Sequence, residues 1–291
     1  MLSPSLPDFD ALWDYDHPER TEMKFREILL QVPENEPDFL ELLTQIARAQ
    51  GLQRKYEHAQ QTLNQVERRL GKGPSRPMIR YLLERGRVFN SSGHPERARP
   101  YFEQALEMAE QLSEDFYAVD ALHMQAIVSP PEQSLELNMQ AIRFAERSRD
   151  AKARGWLGSL YNNTGWSLHD LGKFKTALEI FEKGEAWQRA RGKTAEARIA
   201  AWCVARTLRS LSRFEEALTC QMELNEELAS AGEKDGYVLE EIGECLLALN
   251  RTDEARPYFA EAFETLSQDA RLAQKEPYRL ARLKDLGDGS G

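Results

Sequence analysis

Five histidines, three cysteines and one tight group of glutamates are the side chains that could transfer protons, attack a substrate or hold a metal in this 291-residue chain. His17 and His94 each open the phrase His-Pro-Glu-Arg. His58 and His123 stand alone, and His169 is followed by Asp170. A His-Asp pair can orient a general base, but no nucleophile stands beside this one in the sequence, so it reads as a solvated turn. Glu240, Glu241 and Glu244 fall together on one helical stretch. Such carboxylates do acid–base work or bind a cation, and more often form a solvated face. Cys203, Cys220 and Cys245 are odd in number and lie in no Cys-x-x-Cys pair, so they read as reduced and packed. No HExxH, GxSxG, GxxxxGK or GxGxxG motif occurs. The expectation is a protein that is not an enzyme, with no catalytic residues, cofactor or metal.

The elements that carry these residues are helical. Ala, Leu, Glu, Gln and Arg are abundant, β-branched residues are few, and charged residues make up 30%. A hydrophobic content of 41% is low for a compact globule and suits thin stacked units with much exposed surface. The formal charge of -10 disfavours nucleic acid as a partner. No apolar run of membrane-spanning length occurs, so no membrane partner is expected. The first residues, Met1 to Pro7, lack the basic start and apolar stretch of a secretory signal, and a cytoplasmic location follows as the default.

One phrase recurs: HPERARPYF from His94, TDEARPYF from Thr252 and HPERTEMKF from His17. In it a small residue is followed four places later by Phe. The same pattern extends to seven small anchors: Thr21, Ala59, Ala98, Ser134, Ala177, Ala217 and Ala255, at intervals of 36 to 43 residues. The large position holds Phe25, Leu63, Phe102, Asn138, Phe181, Gln221 and Phe259 in turn. Twelve residues before the anchors from Ala59 onward stand Ala47, Gly86, Leu122, Gly165, Ala205 and Gly243. Self-similarity at this period marks a repeat architecture. The small residues let two antiparallel helices approach, and the large residue is expected to fill the space between one hairpin and the next.

In these positions the chain resembles the tetratricopeptide repeat family. Gly165, Leu171, Gly172, Phe174, Ala177 and Phe181 match its pattern best, followed by Gly86, Phe89, Gly93, Ala98, Phe102 and Ala105. Gly243, Leu249, Ala255, Phe259 and Ala262 also match; the hairpins with Asn138 and Gln221 match poorly. The resemblance implies an all-α fold, a right-handed α-solenoid of antiparallel helix hairpins. Residues 1–36 are expected to form a degenerate capping hairpin, with a short first helix within residues 5–14. Residues 37–269 hold about six repeats, 270–283 a closing helix with Leu280 and Leu283 inward, and 284–291 a disordered tail. The spacing is similar to that of kinesin light chains and of the sensor regions of some bacterial regulators.

In this family the first helix of each hairpin lines the concave surface. Carried over by position, that implies a partner-binding groove of Arg87, Asn90, His123, Asn162, Asn163, Trp166, Trp202, Arg206 and Arg209. Asn can bond an extended backbone through donor and acceptor, Trp offers broad contact area, and Arg grips carboxylates. The competing readings are core packing for Trp202 and Trp166 and simple solvation for the Asn pair. Asn163 matches the Asn of chaperone-tail clamps, but Ile199 and Cys203 stand where the clamp uses cations, so chaperone C-termini are not expected. The expected partner is a protein or peptide, with an acidic stretch to meet the arginines; self-association through the ends stays open. The expected function is a protein-protein interaction scaffold. The alternative is a peptide- or metabolite-responsive regulator that switches the superhelix, and an enzyme accessory subunit is a third.

Overall fold

The computed structural model describes residues 9–289, and its chain divides into two compact units, Met1–Trp156 and Leu157–Gly291. Unit 1 begins with a 3-10 helix, Phe9–Leu12, and α1 (Pro18–Leu29). The hairpins α2 (Pro37–Leu52) with α3 (Tyr56–Arg69), α4 (Arg76–Ser91) with α5 (Pro95–Gln111), and α6 (Asp115–Ile127) with α7 (Pro131–Arg147) follow, then the short α8 (Ala151–Gly155). Unit 2 holds α9 (Leu157–Asp170) with α10 (Phe174–Ala190), α11 (Thr194–Ser210) with α12 (Phe214–Ser230), and α13 (Gly236–Ala248) with α14 (Thr252–Leu266). It closes with α15 (Ala270–Lys275) and α16 (Pro277–Asp288). No strand occurs among the described residues.

Helix starts are set by proline at the first turn, as in α1, α2, α5 and α7, or by a capping side chain. Ser75 accepts from Met78 N–H ahead of α4, and Asp235 from Tyr237 N–H ahead of α13. Hairpin turns share one geometry. Arg54, Gly93, Gly172, Ser212 and Asn250, each five residues before its anchor, have φ between 58° and 88°. The next N–H then reaches back to the last turn of the preceding helix: Lys55 to Gln50 O, His94 to Phe89 O, Lys173 to Leu168 O, Arg213 to Leu208 O and Arg251 to Leu246 O, all at 2.9–3.0 Å. The α6–α7 turn uses Ser129-Pro130-Pro131 instead and has no left-handed residue.

The small and large positions meet inside one hairpin. A Cβ on Gly86 would lie 2.4 Å from the Phe102 ring, one on Gly165 2.4 Å from Phe181, and one on Gly243 2.7 Å from Phe259. This corrects the expectation that the large residue fills the gap to the next hairpin: the ring lies on the glycine of its own partner helix. Where the first helix carries a larger residue, the second gives up the ring. Ala47 goes with Leu63, Leu122 with Asn138 and Ala205 with Gln221. Asn138 and Gln221 are buried, and Asn138 Oδ1 and both Gln221 amide atoms have no hydrogen-bond partner.

At the ends, Phe25 is fully buried and Trp13 packs edge-on against it at 5.5 Å. Residues 1–8 of the expected capping hairpin lie outside the described residues. The described part of its expected first helix is a single 3-10 turn, Phe9–Leu12, followed by α1, and Asp10 of that turn also reaches α4 and α8. At the other end Leu280 and Leu283 are buried on α16, which packs on α14. The helix continues through residues 284–288, part of the stretch expected to be a disordered tail. Gly289 ends it with φ 70°, so the boundary expected at 283 is five residues early. Ser290 and Gly291 lie outside the described residues.

Candidate partner-binding site

Three positions recur on every first helix, 18, 14 and 11 residues before the anchor. Spacings of four and three put them on one face. In unit 1 they are Glu41, Gln45 and Arg48 on α2, Arg80, Glu84 and Arg87 on α4, and Phe116, Asp120 and His123 on α6. This polar face is covered: Gln45, Glu84 and Asp120 are only 1–3% exposed and Arg80 6%. Ion pairs cover part of it. Glu84 meets Arg48 at 3.6 Å and Arg87 at 2.6 Å, and Arg87 continues to Asp120 at 2.5 Å. Arg80 Nε lies 3.0 Å from Glu41, off the N–H axis, and its guanidinium stands over the Tyr117 ring at 5.1 Å. Burial works against the Arg80 cation, but Tyr117, Asp10 and Glu41 outweigh it and raise its pKa, whereas burial pushes the Glu41 carboxyl upward despite Arg80.

The chain's own residues 9–15 cover the rest. Asp10 accepts two guanidinium nitrogens of Arg80 at 3.1–3.2 Å and meets Lys152 of α8 at 3.5 Å. Trp13 donates to Gln45 Oε1 at 3.1 Å, and the Arg48 guanidinium lies against the Trp13 and Tyr15 rings at 5.4 and 5.6 Å. Of the predicted groove residues in this unit, Arg87 is therefore spent on two carboxylates. His123 packs against Trp156 at 5.3 Å with its pKa lowered by burial, and Asn90 is half-buried near the end of α4.

In unit 2 the same positions are Ser159, Asn163 and Trp166 on α9, Ile199, Cys203 and Arg206 on α11, and Tyr237, Glu241 and Glu244 on α13. Here the face is open at its first position: Ile199 is 60% and Tyr237 37% exposed. A cleft of ≈ 440 Å³ lies between α11 and α13, lined by Ile199, Trp202, Leu224, Leu228, Tyr237 and Val238. A second of ≈ 300 Å³ is lined by Tyr161, Asn162, Phe181 and Ile199. Asn163 is exposed and half-buried Asn162 donates to its Oδ1 at 3.3 Å. Trp166 stands 5.3 Å from Phe181 and 6.0 Å from Trp202, so it serves both core and face. Trp202 is half-buried, its Nε1 donating to Tyr237 O at 3.3 Å.

The charges of this face are matched internally. Glu241 takes Arg206 at 3.1 Å and Arg209 at 2.7 Å, Glu240 takes Arg279 at 2.5 Å, and Glu244 takes Arg282. That removes the ground for expecting an acidic partner, which rested on uncompensated arginines. It also corrects the reading of Glu240 and Glu241 as a solvated face: they are 8% and 5% exposed because arginines reach them. His169 does have a hydroxyl beside it, Ser210 Oγ at 2.9 Å from Nε2. Ser210 Oγ also lies 3.2 Å from Arg206 O and accepts from Arg206 Nη1 at 2.8 Å, so the hydroxyl is shared between His169 and its own helix. Burial pushes the Cys203 and Cys245 thiols up to about 12, away from thiolate chemistry. Among the described residues no group of three or more His, Cys, Asp or Glu is placed to hold a metal, and no helix is long and apolar enough to cross a membrane.

A sequence profile of the tetratricopeptide repeat matches residues 79–112, the α4–α5 hairpin. The chain has the tetratricopeptide-repeat fold. Its structure is similar to the apo form of RapI (TM-score 0.75, 12% identity, 94% of this chain and 76% of that one). It is also similar to a STAND signal-transduction ATPase with a tetratricopeptide repeat sensor from Pyrococcus horikoshii (0.67, 13%, 94% and 41%). A third is a Rap protein complexed with Competence and Sporulation Factor (0.50, 14%, 97% and 82%). No curated protein matches the sequence. Within the tetratricopeptide frame, Ile199, noted in the sequence only as a departure from the clamp, and Tyr237 were not expected on this face, nor in unit 1 were Arg48, Arg80 and the segment from Asp10 to Tyr15. For the first two the signal was present: a large apolar side chain at the position 18 before an anchor, where the turn of a first helix faces outward.

Proposed function

We propose that this chain is a non-catalytic, cytoplasmic interaction scaffold that captures an extended protein or peptide segment on the first-helix face of unit 2. The observation that carries the reading is a contrast in register. The positions that are covered on α2 and α4 are open on α11 and α13, where Ile199 and Tyr237 flank the ≈ 440 Å³ cleft. Covering an exposed Ile contributes about 1.5–3 kcal/mol, enough for one anchor of a modest-affinity segment. Asn162 and Asn163 supply donor and acceptor for its backbone, and Trp202 a flat wall. The matched arginines favour aliphatic or aromatic anchors over acids. The likeness to a Rap protein complexed with Competence and Sporulation Factor supports a binding partner for the fold. Leu280 and Leu283 are inward on α16, so self-association through that end is not part of the proposal.

Selection from a displayed peptide library on the full chain tests this. Enriched peptides should carry a large apolar anchor and bind at least ten-fold more weakly to Ile199→Asp and to Asn163→Ala. Undiminished binding to both folded variants would sink the reading. The switching alternative is favoured by the likeness to the STAND ATPase, whose tetratricopeptide repeats form a sensor. It predicts a change in radius of gyration by X-ray scattering on adding a selected peptide, where a rigid scaffold predicts none.

A further inference from the structure

Residues 9–15 lie where a ligand would lie. They run from Arg80 on α4 and Lys152 on α8, which meet Asp10, to Gln45 and Arg48 on α2, which meet Trp13 and Tyr15. We propose that the first-helix face of unit 1 is a site for segments of another protein that carry a carboxylate, then Trp three residues on and a second aromatic five residues on. Asp10, Trp13 and Tyr15 hold that site in cis as a displaceable occupant.

Three observations carry this. Side chains make the attachment: among the described residues no backbone–backbone hydrogen bond joins residues 9–15 to α2, α4, α6 or α8. The segment is clipped instead at its far end, where Asp14 N–H donates to Thr21 Oγ1 at 3.0 Å and the hydroxyl donates back to Asp14 O at 3.1 Å. Next, the charges are complementary. Arg80 and Lys152 converge on Asp10, and Arg48 meets two aromatic faces. Last, the exposure is that of a bound segment on a formed floor. Tyr15 is 59% exposed, while Gln45 and Arg80 beneath the segment are nearly closed. Phe9, buried at the start of the segment, is the apolar anchor.

The site is independent of the unit 2 face, and its ligand chemistry is read from its own occupant. A segment presenting the same three side chains in the same order competes for Arg80, Lys152, Gln45 and Arg48. The cis copy keeps the face closed to any segment that lacks them.

The test uses the full chain with Asp10→Ala and Trp13→Ala, and a fluorescein-labelled peptide of residues 9–16 as the probe. Fluorescence anisotropy should show the peptide binding the double variant at least ten-fold more tightly than the wild type. Adding Arg80→Ala to that variant should abolish the gain, as should Asp10→Asn in the peptide. Equal binding to wild type and folded double variant overturns the proposal. So does loss of a cooperative melt in the double variant, which would make the segment an integral part of the fold. A concentration-dependent dimer of the wild type that disappears in the double variant also overturns it, placing a second copy's segment on the face.

Discussion

The ring of Phe102 occupies the space that any side chain on Gly86 would need: an added Cβ would fall 2.4 Å from Cε1 and 2.7 Å from Cζ. Phe102 is fully buried, and the α4–α5 hairpin closes around this contact. Gly86→Ala should therefore destabilise the chain by about 1–3 kcal/mol through overpacking, despite a helix-propensity gain of about 1 kcal/mol. Phe102→Leu alone should cost about 1–2 kcal/mol, scaled down from the larger loss on truncation to Ala. The double variant should be less destabilised than the two single changes added together. Chemical denaturation of all four proteins closes the cycle, and strict additivity would show that the two residues do not share one space.

The same rule predicts how the α11–α12 hairpin can be repaired. Gln221 sits fully buried at the ring position with both amide atoms unpartnered, and Ala205 stands where the ring-bearing hairpins have Gly86, Gly165 and Gly243. Gln221→Leu should stabilise by about 1–3 kcal/mol, the cost of leaving a buried amide unsatisfied. Gln221→Phe should fail to do so until Ala205→Gly makes room. Thermal melts of the three variants check the order.

Turn geometry gives a third expectation. Ser212 has φ 58° and is exposed at the end of α11, and a non-glycine residue there carries a left-handed penalty of about 1–2 kcal/mol. Ser212→Gly should raise stability by about 1 kcal/mol, offset in part by the greater freedom of glycine in the unfolded chain. Gly172→Ala, at the matching turn with φ 71°, should lower it by a similar amount. Urea midpoints at constant m-value would read both.

The repeat was legible because it is written in local chemistry: small, large and small residues at fixed intervals, with helix-stopping turns between them. Fold class, hairpin order and the buried Phe set follow from that pattern. The first-helix face proposed for a partner was legible only in part. Repeat position puts Asn163, Trp166 and Trp202 on first helices, but nothing in the string shows that Arg87 is spent on Asp120, or Arg206 and Arg209 on Glu241. Those carboxylates sit 32 to 35 residues away, one repeat on, and pairing across hairpins depends on helix register rather than on sequence neighbours. The covering of unit 1 by residues 9–15 is longer in range still, Asp10 meeting Lys152 across 142 residues.

Stability should fall as the pH drops from 7.5 to 5.5. Burial lowers the pKa of His123, with Arg87 adding to the effect and Asp120 and the neighbouring Asn138 opposing it. The folded state thus holds the imidazole neutral at pH values where the unfolded chain, with a pKa of about 6.5, protonates. Between the folded value and about 6.5 the unfolded state binds more protons, so stability rises with pH. The contribution is complete above about 6.5 and is lost as the pH falls through the folded value. His169 is lowered as well, by burial and then by Arg206, and acts in the same direction. Glu41, raised by burial, works with the opposite sign as its own higher range is approached from above, so the histidine effect is read at pH 5.5 and higher. Denaturation midpoints across this window should slope in wild type and flatten in His123→Gln.

Glu241 decides the charge of the unit 2 face, because one carboxylate, 5% exposed, holds both Arg206 and Arg209. Glu241→Gln keeps the shape and part of the hydrogen bonding but leaves two half-buried guanidinium groups without their shared anion. Removing one partner from such a pair costs up to about 3–5 kcal/mol when the site is sealed. Here the arginines are 23–28% exposed at their side chains and water screens them, so a loss of about 1–3 kcal/mol is expected. The uncovered charge should also create a property absent from the wild type: binding of an oligoglutamate peptide, weakening steeply as salt rises from 50 to 300 mM. If wild-type protein already binds that peptide with the same salt dependence, the arginines are not matched in solution and the face is basic after all.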